Sequence, residues 1–158
     1  MQPQNVKKII SYYSEIPKMI KSLKLEKAEL EDKYNLLRNA MGGTSKNSAP
    51  ANLIETFVCL DDGDSGNKIQ EVTVKIQVLY MDSMTIKNCL DSICSTYKQI
   101  ISMRCLRDYS WTRISAELNI PNSTARWQYN KAMERLGETL DEAPMIQELL
   151  KRASHARI

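Results

Sequence analysis

The sequence is poor in the residues on which most enzyme mechanisms depend. It has a single histidine, His155, near its end. A catalytic triad, a histidine general base and a His-ligated zinc therefore have no internal histidine to use. Five glycines and five prolines in 158 residues argue against an all-β fold and against Gly-rich phosphate loops. The four cysteines, Cys59, Cys89, Cys94 and Cys105, form no CxxC pair and join no histidine cluster. Free thiols in a reducing cytosol are expected, and a zinc site is not. Long hydrophobic runs are missing too. None approaches the roughly 20 residues of a membrane span. Lys7-Lys8 is followed by too short an apolar run for a signal peptide. Aromatic residues make up only 6%, with one Phe, so the core is expected to be mostly Ile, Leu, Val and Met. These absences lean toward a helical, cytoplasmic protein that is not an enzyme, with no cofactor, no metal and no membrane partner.

What is present is a mildly basic chain with 42% hydrophobic residues and a net charge of +3. That is enough for one compact domain or two small ones. The charge is uneven. Residues 1–41 carry eight Lys/Arg against five Asp/Glu, and residues 42–95 carry four against seven. Residues 96–137 carry seven against three, and residues 138–158 carry three against four. The excess in the first segment reads as a solvated basic face. In the 96–137 block it coincides with a motif, which favours an anionic partner.

Periodicity divides the chain into five pieces. Residues 1–41 read as one long amphipathic helix. Ile9, Ile16, Leu23, Leu30 and Leu37 form one heptad row, and Val6, Tyr13, Ile20, Lys27, Tyr34 and Met41 the other. Pro17 predicts a kink, or a second helix starting there. Residues 42–67 read as a linker that is Gly/Ser-rich at its start and acidic at its end. Asp61–Asn67 faintly resembles a calcium loop. Counted from Asp62, however, its sixth position is Asn67 instead of glycine and its twelfth is Thr73 instead of glutamate. Residues 68–95 offer two periods. Val72, Val74, Ile76 and Val78 alternate as in a strand. Ile69, Val72, Ile76, Leu79, Ile86, Leu90 and Ile93 keep a heptad with one polar slot, Ser83. The longer pattern predicts a second long helix, and the two long helices predict an antiparallel coiled-coil-like hairpin. In residues 138–158, Gly137 predicts a helix stop and Pro144 a later helix start, with a frayed end from Ala153.

Residues 96–137 carry the most specific signal. Tyr97, Ile100, Ile101, Met103 and Leu106 mark a helix. Ser110 is placed to cap a second helix, Trp111–Leu118, with Ile114 and Leu118 inward and Ala116 small where helices cross. Asn119-Ile120-Pro121 reads as a turn. Asn122 or Ser123 is placed to cap a third helix packed through Ala125, Ala132, Met133 and Leu136. This is the layout of a helix–turn–helix whose last helix enters a major groove. Its early residues suit base edges: Asn122, Ser123, Thr124, Arg126, Trp127, Gln128 and Asn130. Arg107, Arg113, Lys131 and Arg135 suit phosphates. No acidic residue lies between Asn119 and Met133. Trp127 also fits a packing role, since an indole is seldom left exposed.

The run Tyr109-Ser110-Trp111-Thr112-Arg113-Ile114-Ser115-Ala116-Glu117-Leu118, followed by Ile120, Ser123-Thr124-Ala125-Arg126, Lys131-Ala132-Met133 and Leu136, resembles region 4 of bacterial sigma-70-type factors. Over residues 5–137 the layout resembles small phage and prophage transcriptional activators of the autolysin-regulator, late-gene type. The resemblance implies an all-α fold, with a long N-terminal helical hairpin and a C-terminal sigma-region-4-like helix–turn–helix. It places Ser123, Arg126 and Trp127 at base-contacting positions and Lys131 on a basic slot. Thr112-Arg113 departs from the usual acidic pair, and Trp127 from a polar reader. Residues 1–95 lack the aromatic-rich helix of a complete sigma factor.

The expected function is a sequence-specific transcriptional regulator of phage or prophage origin, associated with the nucleoid. Its expected partners are double-stranded DNA, RNA polymerase and a second copy bound through residues 6–41 and 69–93. A DNA-packaging protein of the small-terminase-subunit type is the alternative that uses the same motif. A purely structural coiled coil leaves the Arg126–Lys131 pattern unexplained.

Overall fold

A computed structural model describes residues 1–42 and 64–156. Among these residues every regular element is helical. Helix α1 spans Pro3–Gly42, α2 Asp64–Ser92, α3 Ser95–Ile101, α4 Trp111–Leu118, α5 Asn122–Asp141 and α6 Ile146–His155. A π-helical turn, Ser102–Leu106, extends α3. No helix is long and apolar enough to cross a membrane among the described residues. Most of the segment read as a linker, Cys59 included, lies outside them.

Two expectations about the long helices change. No second helix starts at Pro17, because α1 runs through it unbroken. Pro17 is exposed, so its ring displaces no core side chain. The acidic loop is also shorter than read, since Asp64–Asn67 already belong to α2. Asp, Ser and Asn favour helix N-caps as well as loops, which makes this boundary ambiguous from sequence.

The described chain divides into two compact units. One comprises residues 18–79. In it Ile20 and Leu37 of α1 and Val72, Ile76 and Leu79 of α2 are buried. Leu23 and Leu30 are half-buried, and Leu25 and Leu36 are exposed. The heptad in α2 therefore describes its buried face, and Val74 of the rejected strand pattern is exposed.

The other unit joins residues 1–17 to residues 80–158. Its core includes Ile9 and Ile16 of α1, Ile86 of α2, Ile100 of α3, Ile114 of α4 and Leu136 of α5. Gly137 does not stop a helix here, because α5 continues to Asp141. A Cβ at Gly137 would lie 3.2 Å from Val6 Cγ2 and 3.5 Å from the Met1 carbonyl oxygen. The glycine lets α1 approach closely, which outweighs its weak helix propensity.

The last helix begins two residues after Pro144, with Met145 in the left-handed region at φ 57°. The fraying expected from Ala153 does not begin there, since Ala153 is buried and helical, and residues 157–158 lie outside the described residues. A polar cluster fixes α6. Asp82 of α2 is only 4% exposed. Arg152 donates to both its oxygens, from Nε to Oδ2 and from Nη2 to Oδ1, each at 2.7 Å. The Tyr12 hydroxyl donates to Oδ2 at 2.8 Å. Three helices thus meet at one carboxylate whose lone pairs are well used.

Candidate nucleic-acid interface

Helix α4 starts where its residues dictate. Ser110 is extended (φ −67°, ψ 155°), and its hydroxyl accepts from the Arg113 N–H at 3.2 Å. Such a cap satisfies one orphan donor of the first turn. Asn119 ends the helix in the left-handed region (φ 52°, ψ 46°), a conformation asparagine tolerates better than most residues. The Ile120 N–H then returns to the Ser115 carbonyl at 3.1 Å, and the Ser115 hydroxyl donates to the Ile120 carbonyl. Ile114 is buried, while Leu118 and Ile120 are half-buried. Ala116 is exposed, so the close crossing assigned to it does not lie there. Ala125 and Ala132 on α5 are the fully buried small residues instead.

Helix α5 is not capped by Asn122 or Ser123. Pro121 is its N-cap (φ −60°, ψ 149°), without a side-chain bond, and the Pro121 carbonyl accepts from the Ala125 N–H at 2.9 Å. Proline fixes φ at this value, so the helix can start on backbone geometry alone. Asn122 and Ser123 consequently sit in the first turn with their side chains exposed.

The proposed base-reading residues divide by exposure. Asn122, Ser123, Arg126, Trp127 and Asn130 are exposed, and Thr124 and Gln128 are half-buried. Gln128 Oε1 is buried without a hydrogen-bond partner among the described residues, so this side chain does not offer both its amide groups outward. Trp127 is 58% exposed, and the packing reading of it does not hold.

Trp111 takes the structural role instead. Its ring lies edge-on to Tyr129, with centroids 5.4 Å apart at 76°. The Arg104 and Arg126 guanidiniums lie 5.0 Å and 5.6 Å from its centroid, within cation–π range. Tyr129 is buried beside Cys105, with the thiol sulfur 3.4 Å from the hydroxyl. Burial pushes both ionisations up. The sequence pattern missed Tyr129 and Arg104. Tyr129 was recoverable, because it falls four residues after Ala125 and four before Met133, on the packing face.

The phosphate candidates differ in how their charge is engaged. The Arg113 guanidinium lies 3.6 Å from the Tyr109 ring centroid and donates from Nε to Glu117 at 3.1 Å. Lys131 pairs with Glu134 at 2.8 Å and Arg135 with Glu138 at 2.7 Å. The Glu134 hydrogen bond pushes the Lys131 pKa up. These exposed pairs exchange easily with other anions. Arg107 is exposed and its side chain makes no hydrogen bond or ion pair among the described residues. The same residues place no group of three His, Cys, Asp or Glu side chains to hold a metal. Cys89, Cys94 and Cys105 are free thiols.

A family model described as Protein of unknown function (DUF722) matches residues 3–138. No curated protein and no solved structure matches the chain.

Proposed function

The chain belongs to the DUF722 family, and we propose that it is a sequence-specific DNA-binding transcriptional regulator of phage or prophage origin. The observation that carries this reading is the first half of α5. Asn122, Ser123, Arg126, Trp127 and Asn130 are exposed together on a stretch free of acidic residues. Behind them Ala125, Tyr129 and Ala132 are buried. A helix–turn–helix made of α4, the Asn119–Pro121 turn and α5 would present this face to a major groove. Arg126 is suited to guanine O6 and N7, and Asn122 and Asn130 to adenine N6 and N7. The long helices α1 and α2 would supply dimerisation or a contact with RNA polymerase.

Selection of bound fragments from random duplex DNA tests the reading. Enrichment of one short sequence is expected, and a hexamer like a −35 promoter element would support the sigma-like resemblance. Arg126→Ala should weaken binding to the selected site by ~1–3 kcal/mol. No enrichment, together with a ring of many subunits in sedimentation, would favour DNA packaging.

A further inference from the structure

A recess beside α3 gathers one of the phosphate candidates, Arg107, with residues that the function above does not use. It encloses about 290 Å³ and is lined by Ser95, Lys98, Gln99, Ser102, Met103 and Arg107. Two cations, two hydroxyls and an amide surround the buried Met103, and no carboxylate lines it. The helical repeat explains most of this set. Ser95, Lys98/Gln99 and Ser102/Met103 follow one another at three- to four-residue steps on one face of a helix. A continued α-helix would place Leu106 next on that face. The π-turn adds one residue to the step, and the Arg107 N–H donates to the Ser102 carbonyl at 3.0 Å. Arg107 therefore stands where Leu106 would have stood. Leu106 lines the adjoining recess, with Tyr13, Lys87, Asp91 and Ile101, and that recess shares Lys98 and Ser102 with this one. π-turns of this kind often occur at functional positions.

The charges are arranged for an anion. The Arg107 side chain has no partner among the described residues. Lys98 is held by Asp91, a residue outside the lining. That hydrogen bond keeps the Asp91 carboxyl below its ordinary range. A guanidinium with open donors, an anchored ammonium and neighbouring hydroxyl and amide donors match a tetrahedral oxyanion.

We infer that this recess binds a phosphate group, with Arg107 and Lys98 supplying charge and Gln99 and Ser102 supplying hydrogen bonds. The source of the phosphate rests on the DNA reading, under which it is a backbone phosphodiester. A free phosphate or phosphomonoester has the same chemistry.

Two titrations on the full chain separate these sources. In the first, inorganic phosphate is added to ¹⁵N-labelled protein. The amide signals of Gln99 and Ser102 should shift in the native chain and stay still in Arg107→Ala. In the second, binding to the selected duplex is measured over a range of salt. Arg107→Ala should lower the slope of log affinity against log salt by about one, and Arg107→Lys should preserve it. Shifts without a slope change assign the site to free phosphate, and a slope change assigns it to the duplex. Neither response, in a variant with native melting behaviour, overturns the proposal. If no duplex binds at all, the DNA reading fails and the phosphate titration alone decides the recess.

Discussion

Replacing Asp82 with alanine is the most informative single perturbation of the fold. It removes the acceptor of three hydrogen bonds, one from Tyr12 and two from Arg152. The Tyr12 side chain is almost wholly buried, so its hydroxyl would be left without a replacement from bulk water. The Arg152 side chain is 35% exposed, so water can rescue part of the guanidinium. Breaking a buried ion pair by removing one partner costs about 3–5 kcal/mol. The exposed edge of Arg152 places Asp82→Ala at the lower end, about 3 kcal/mol. Arg152→Ala should cost at least as much, because it strands the more deeply buried carboxylate. Urea denaturation of the two variants and their double mutant at pH 7 closes a thermodynamic cycle. The double mutant should cost less than the two singles combined, by at least about 1.5 kcal/mol. If the effects add to within about 0.5 kcal/mol, the two groups do not act as a unit and the reasoning fails.

Three further outcomes are expected. Ile16→Ala should cost ~2–5 kcal/mol and Leu25→Ala no more than about 0.5 kcal/mol, because the first side chain is buried and the second exposed. Equal shifts in chemical denaturation would contradict these burial assignments. Gly137→Leu should cost ~1–3 kcal/mol, since Val6 already limits the space beyond a Cβ; an unchanged melting temperature would show that α1 yields freely. Burial, reinforced by bonds to Asp82 and Cys105, pushes the Tyr12 and Tyr129 hydroxyls above the ordinary tyrosine pKa. The folded chain then keeps protons that the unfolded chain releases above about pH 10. Their contribution to stability is complete below that pH and is lost as pH rises toward the raised values. Tyr12→Phe with Tyr129→Phe should flatten this alkaline decline, and an ordinary tyrosine titration in the folded protein would refute it.

The sequence was most informative where one face of a helix is buried over many turns. In α2 the heptad correctly outweighed the strand alternation, because Val72, Ile76, Leu79, Ile86 and Leu90 are all buried. The all-helical class follows from the same signal. Local pattern failed where a distant segment sets the role of a residue. Gly137 has the composition of a helix stop, but Val6 makes it a contact point. Asp82 looks like an ordinary surface acid beside the polar slot Ser83, yet its partners are 70 residues away in either direction. The tryptophans divided for a similar reason. Trp111 finds Tyr129 and two arginines, while Trp127 remains exposed. Arg107 was legible as a cation, but its place in a recess depends on the π-turn.

The joining of residues 1–17 to residues 80–158 has a consequence for synthesis. Ile9, Ile10 and Ile16 emerge from the ribosome early, but core residues of the same unit such as Ile100, Leu136 and Leu149 follow much later. At translation rates of ≈5–20 residues per second, the apolar face of the first helix waits on the order of ten seconds for those residues. During that interval it is a natural ligand for chaperones, and for the same segment of a neighbouring nascent chain. Closure over so long a loop also makes this unit a slower folder than a bundle of consecutive hairpins. Expression yield should therefore depend on translation speed and chaperone supply more than the stability of the finished fold would suggest.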